Sequence, residues 1–173
     1  MKPFVLIGHF LLTELLVPKL TSGSRVIFLS SAAHLLCKSL DLSTISNFNC
    51  DAIGTSARFL NYSVSKLCLL LYSRNLADRL KGMDQTFFYL ICTTQLCLNL
   101  IYSDQGITVF SVDPGSVETP IYRHFPYLQN YFLKALQKPI RYIVIRSPIQ
   151  GSQTVLHCAL FPNANNESGH YYK

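Results

Sequence analysis

Two kinds of apolar run alternate along this chain, and their spacing predicts alternating helices and strands. Over residues 4–20, Phe4, Ile7, Leu11, Leu15 and Leu16 recur at helical intervals, and Pro18 followed by Thr21-Ser-Gly closes the element. Arg25-Val-Ile-Phe-Leu-Ser30 is a continuous β-branched and aromatic run without alternation, which predicts a fully buried strand over 25–30. Residues 35–58 are polar and read as a long loop. From Asn61 to Lys81 helical periodicity returns, with Leu67, Leu70, Leu71 and Leu76 as its apolar positions. Residues 107–112 predict a second buried strand. Ser147 followed by Pro148 predicts a capped helix running to about Leu160, ended by Phe161-Pro162. His170-Tyr-Tyr opens a last short strand. Helices alternating with buried strands predict an α/β fold with an open parallel sheet.

Composition adds bounds. With 173 residues, 49% hydrophobic and 14% charged, the chain can bury one core and is not of the disordered class. The net charge of +6 favours an anionic partner. Its basic residues are scattered, so a nucleic-acid surface is not expected, whereas a phosphate-bearing cofactor or an anionic membrane face fits. The six cysteines (37, 50, 68, 92, 97 and 158) show no zinc-like C-x-x-C pair and read as free thiols. The histidines lack metal-ligand partners. The sequons at Asn61 and Asn166 read as chance.

Tyr62-Ser-Val-Ser-Lys66 carries the candidate chemistry. Four residues apart on a helix, the phenol and the ammonium share one face. A nearby cation favours phenolate over phenol, the condition for a proton donor and acceptor near neutral pH. Alone the spacing is common by chance. Its order in the chain is what gives it weight: strand, Ser30-Ser31, the Tyr62–Lys66 helix, strand, then Pro114-Gly115-Ser-Val117-Glu-Thr119.

That order resembles the short-chain dehydrogenase/reductase family, within it the retinol-dehydrogenase-like branch. Gly8–Leu20, Ser24–His34 and Ser168–Lys173 also read like that branch. The resemblance implies the later half of a Rossmann-like, doubly wound parallel sheet, with the first βαβ units missing. The whole of 1–173 is then one incomplete domain. It also implies roles. Tyr62 is the general acid/base, Lys66 assists it and holds the nicotinamide ribose, and Ser31 hydrogen-bonds the substrate oxygen. Pro114, Gly115, Val117 and Thr119 join Tyr62 and Lys66 in binding NADP or NAD. Tyr122, Phe125, Tyr127, Tyr131 and Phe132 belong to a substrate-covering segment, which suits an apolar alcohol or carbonyl such as a retinoid, steroid or lipid aldehyde.

The sequence departs from that pattern in three ways. No Gly-x-x-x-Gly-x-Gly turn is present to hold a pyrophosphate, since Gly8, Gly23 and Gly54 are isolated. Val5 stands where the family has an asparagine that supports a proton relay. Residues 83–104 interrupt an otherwise short helix-to-strand join. They read as an insertion, with an extra buried or interfacial helix and a membrane anchor as alternatives.

Two functional readings follow. One is an NAD(P)-dependent oxidoreductase. The other is an inactive fragment that at most associates with a full-length relative, through helices 4–20 and 60–81. A homo-oligomer and membrane association fit either one. The expected location is the cytoplasm or the cytosolic face of a membrane. A membrane-inserted helper protein would rest on residues 86–102 alone.

Overall fold

A computed structural model describes residues 4–37, 55–82, 106–118, 145–162 and 167–173. Strand β1 (Arg25–Leu29) pairs in parallel with β2 (Thr108–Val112), in register from Arg25 opposite Thr108 to Leu29 opposite Val112. Strand β3 (Tyr171–Tyr172) adds in parallel to the other side of β2, giving the order β1-β2-β3. Parallel neighbours need a crossover. Helix α2 (Thr55–Leu80) lies between β1 and β2 in the chain, and α3 (Pro148–Leu160) between β2 and β3. Helix α1 (Phe4–Leu16) and a 3-10 turn at Val17–Lys19 precede β1. This α/β arrangement with a parallel sheet fits part of a Rossmann-like domain.

Side chains alternate across the sheet. Val26 and Phe28 of β1 and Val109 of β2 face a core built with Phe10, Val17, Leu69, Tyr72, Leu76, Ala77 and Leu80. Ile27, Phe110 and Val112 face the opposite layer, where Val155 and Cys158 of α3 meet Tyr172. Helices α1 and α2 therefore cover one face and α3 the other.

Helix α3 begins as its sequence predicts. The Ser147 hydroxyl accepts from the Gln150 N–H at 3.2 Å, and Gln150 Oε1 accepts from the Ser147 N–H at 2.9 Å. This reciprocal cap, with Pro148 at the first turn, satisfies amides that would otherwise lack partners.

Three expectations need correction. The apolar positions of α1 face solvent rather than the core: Ile7 is 58% exposed and Leu15 65%, with Leu11 and Leu16 also exposed. The helix is apolar almost all round, so periodicity could not choose its inner face. Glu14 chooses it. Its carboxylate takes the Arg79 guanidinium at 2.7 and 3.2 Å and the Tyr72 hydroxyl at 2.8 Å, which turns Phe10 and Val17 inward.

Strand β1 is not buried throughout. Its outer edge has no strand beside it among the described residues, and Leu29 is 50% exposed. Helix α2 starts at Thr55, earlier than the loop expected over 35–58, and its inner rail is Leu69, Tyr72, Leu76, Ala77 and Leu80. Of the four predicted apolar positions only Leu76 is fully buried, because the run Leu67-Cys-Leu-Leu-Leu fits several helical phases.

Candidate active site

The candidate site forms where the C-terminal ends of β1 and β2 lie side by side, the region where open α/β sheets hold ligands. The Ser30 N–H donates to the Val112 carbonyl at 2.8 Å and extends the ladder by one step. The two serines then part. The Ser30 side chain is buried, and its hydroxyl donates to the Lys66 carbonyl at 3.3 Å, pinning α2 to the strand end. Ser31 is extended, at φ −166°, and caps the 3-10 turn Ala32–Leu36, accepting the Ala33 N–H at 3.3 Å. That turn packs against α2.

Tyr62 and Lys66 share a face of α2, as their spacing predicts. Lys66 Nζ lies 5.6 Å from the centre of the Tyr62 ring. The same ammonium donates to the Leu29 carbonyl at 2.6 Å, at the end of β1. Burial pushes the Lys66 ammonium below its ordinary value, and the negative charge of Asp113 opposes that shift. Tyr62 is half-buried, and among the described residues no protein group hydrogen-bonds its hydroxyl. No hydrogen bond joins Ser31 to Tyr62 among those residues.

After β2 the chain turns at Pro114-Gly115. Gly115 takes φ +76°, a left-handed conformation that favours glycine. Arg146 covers this turn. Its Nη1 donates to the Pro114 carbonyl at 3.3 Å, and a Cβ on Gly115 would lie 3.2 Å from that nitrogen. Val117 forms a parallel bridge with Arg146 and abuts Gly151 of α3. Thr119, the aromatic segment around 122–132 and residues 83–104 lie outside the described residues. No cluster that could hold a metal ion occurs among the described residues, and none of the described helices is long and apolar enough to cross a membrane.

Sequence reasoning passed over Asp113. Its Oδ1 accepts from the Gly115 N–H at 2.9 Å, and its Oδ2 accepts from the Ala32 N–H at 2.9 Å and the Tyr171 hydroxyl at 3.2 Å. Half of this was legible. An Asp just before Pro-Gly commonly accepts from the backbone two residues on. The contact to Ala32, across 81 positions of sequence, was not.

The sequence has counterparts among known proteins. The chain is 32% identical over 169 residues to Dehydrogenase/reductase SDR family member 13 of Bos taurus, covering 96% of this chain and 37% of that protein. It is 32% identical over 169 residues to Retinol dehydrogenase 11 of Homo sapiens, and 34% identical over 170 residues to Retinol dehydrogenase 12 of Mus musculus. Each of these alignments covers 96% of this chain and 42% of the relative. These relatives are short-chain dehydrogenase/reductase family members and retinol dehydrogenases, and the chain is similar to them over nearly its whole length. No protein-family model matches it. The chain spans about two fifths of the length of these relatives.

Members of this family generally use NAD(P). The described residues fit one end of such a cofactor. Lys66 offers an ammonium, whereas the side of Gly115 that a Cβ would fill is occupied by the Arg146 guanidinium. They include no cradle for its pyrophosphate, since Gly8 lies inside α1 and Gly23 in the turn before β1.

Proposed function

We propose that this chain carries the proton-transfer face of an NAD(P)-dependent oxidoreductase of apolar alcohols and carbonyls, of retinoid, steroid or lipid-aldehyde type. One observation carries the reading. Among the described residues no protein group engages the Tyr62 hydroxyl, which lies on the helix face that holds the Lys66 ammonium, beside paired strand ends. In the oxidising direction the Tyr62 oxygen takes the proton of the substrate hydroxyl. The O–H electron pair forms the carbonyl as hydride leaves the carbinol carbon. The nicotinamide, when bound, supplies the hydride acceptor. Lys66 places positive charge beside the Tyr62 phenolate that takes this proton and hydrogen-bonds the cofactor's ribose. Ser31 donates its hydroxyl proton to the substrate oxygen while its oxygen goes on accepting the Ala33 N–H. Gly115 and Pro114 offer backbone to the nicotinamide, with Val117 and Thr119 beside it. The retinol dehydrogenases among the relatives support an apolar substrate, and a cytosolic or membrane-face location is part of the same proposal.

A second reading is that this chain turns over nothing alone and pairs with a full-length relative. Fluorescence titration with NADPH and NADH separates the two. Saturable binding, with turnover of retinol or a lipid aldehyde that Tyr62→Phe abolishes while binding persists, is expected from the enzyme. Absent binding, with activity appearing only alongside a chain that supplies the glycine-rich turn, overturns it.

A further inference from the structure

The proton-transfer scheme leaves one buried acid unused. Asp113 directly follows β2 and is 2% exposed. Its two carboxylate oxygens accept from three donors: the Ala32 and Gly115 N–H groups, both at 2.9 Å, and the Tyr171 hydroxyl at 3.2 Å. Its own N–H donates to the Tyr172 carbonyl at 2.8 Å. One residue thus joins the turn after Ser31, the Pro114-Gly115 turn and β3.

Closing the Pro-Gly turn alone would not require a carboxylate, because an asparagine or serine oxygen accepts one N–H equally well. Acceptors are needed on both sides here. A carboxylate supplies them, whereas an asparagine would set its NH2 against one of the donors. Hydrogen bonds to an ionised acceptor are also shorter and stronger than neutral ones, which suits a hinge that must hold two loops at a fixed separation. The same charge lies in the field of Lys66 and opposes the effect of its burial.

We infer that Asp113 is a positioning residue. Its carboxylate sets the distance between the Ser31 turn and the Pro114-Gly115 turn, the two walls between which substrate oxygen and cofactor meet. The inference rests on the oxidoreductase reading for its purpose, and on geometry for its existence.

The test compares the full chain with D113N, which keeps the volume and loses one acceptor. Y72F serves as a control that weakens the α1–α2 junction away from the site. Expected for D113N are upfield movement of the Ala32 or Gly115 amide proton and a fall in kcat of about tenfold or more, with KM changed far less. Y72F is expected to lower thermal stability while leaving kcat within about twofold. Unmoved Ala32 and Gly115 amide resonances in D113N overturn the inference, as does a kcat loss that Y72F reproduces at equal loss of stability. If the unaltered chain neither binds NAD(P)H nor turns over, the oxidoreductase reading fails, and the amide resonances still decide whether Asp113 holds the two turns. If D113N does not fold, the unaltered chain decides. Rapid solvent exchange of the Ala32 and Gly115 amides overturns the inference, and slow exchange upholds it.

Discussion

The Lys66 ammonium donates to the Leu29 carbonyl at 2.6 Å, so the cation that shares a helix face with Tyr62 is moored to the end of strand β1. The strand end and the helix of Tyr62 and Lys66 are thereby one unit, reinforced by the Ser30 hydroxyl on the Lys66 carbonyl. A strand carbonyl at its C-terminal end, without a further ladder partner, is a good acceptor for a charged donor.

Lys66→Met tests that mooring through pH. Burial lowers the folded-state value of Lys66 below its ordinary one. The unfolded chain therefore holds the proton more tightly between the folded value and about 10.4, and stability rises with pH across that window. Thermal unfolding of both chains in steps from pH 8 to 10.5 should show the original gaining relative to Lys66→Met as pH rises. A constant difference would show that the charge is not desolvated. Where turnover is measurable, the variant should lose about a hundredfold in kcat.

Tyr171 gives a shift of opposite sign. Burial, then the charge of Asp113 and its hydrogen bond, push the phenol up to about 12. A value raised in the folded state contributes stability that is fully present below the unfolded value of about 10 and lost as pH rises through the folded one. The stability advantage of the original chain over Tyr171→Phe should be constant up to about pH 10 and vanish by about pH 12. Chemical denaturation at pH 8, 10 and 11.5 measures it. An advantage undiminished at pH 11.5 would place the phenol away from Asp113.

The order of elements was legible because each rests on local patterning. Two short β-branched runs gave β1 and β2, and Ser147-Pro148 gave the start of α3. The Tyr62–Lys66 face was legible for the same reason, since i and i+4 on one helix need no tertiary information. What escaped depends on partners distant in sequence. The inner face of α1 is set by Glu14 reaching Arg79, 65 residues on, and the exposure of Leu29 by what lies beside β1. The Ser31 turn is held by a carboxylate from another strand end, and no spacing rule encodes a contact between loops.

Glu14→Ala should detach α1 from α2. The Glu14–Arg79 pair is mostly buried, with side chains 13% and 11% exposed, and the Tyr72 hydroxyl shares the carboxylate. Removing the anion takes away the counter-charge of a mostly buried guanidinium, a loss of about 3 kcal/mol. Glu14→Gln keeps an acceptor for Tyr72 and should cost less. Urea unfolding of both variants checks the ranking. Equal, small losses would mean that α1 is held by Phe10 and Val17 alone.

Gly151→Ala links the α3 cap to the candidate site. A Cβ at 151 would lie 2.4 Å from Val117 Cγ2, inside any real contact distance. Val117 is β-branched and stiff at χ1, so it yields by shifting its backbone bridge to Arg146 rather than by a free rotation. Overpacking of this kind costs about 1–3 kcal/mol. Because Arg146 also covers Gly115, the displacement should reach the Pro-Gly turn and weaken NADPH binding more than it lowers the melting temperature of the sheet. Gly151→Ser carries the same Cβ and should behave alike. Fluorescence titration beside thermal unfolding tests the coupling. A variant that loses stability with unchanged cofactor affinity would confine the role of Gly151 to packing and separate α3 from the site.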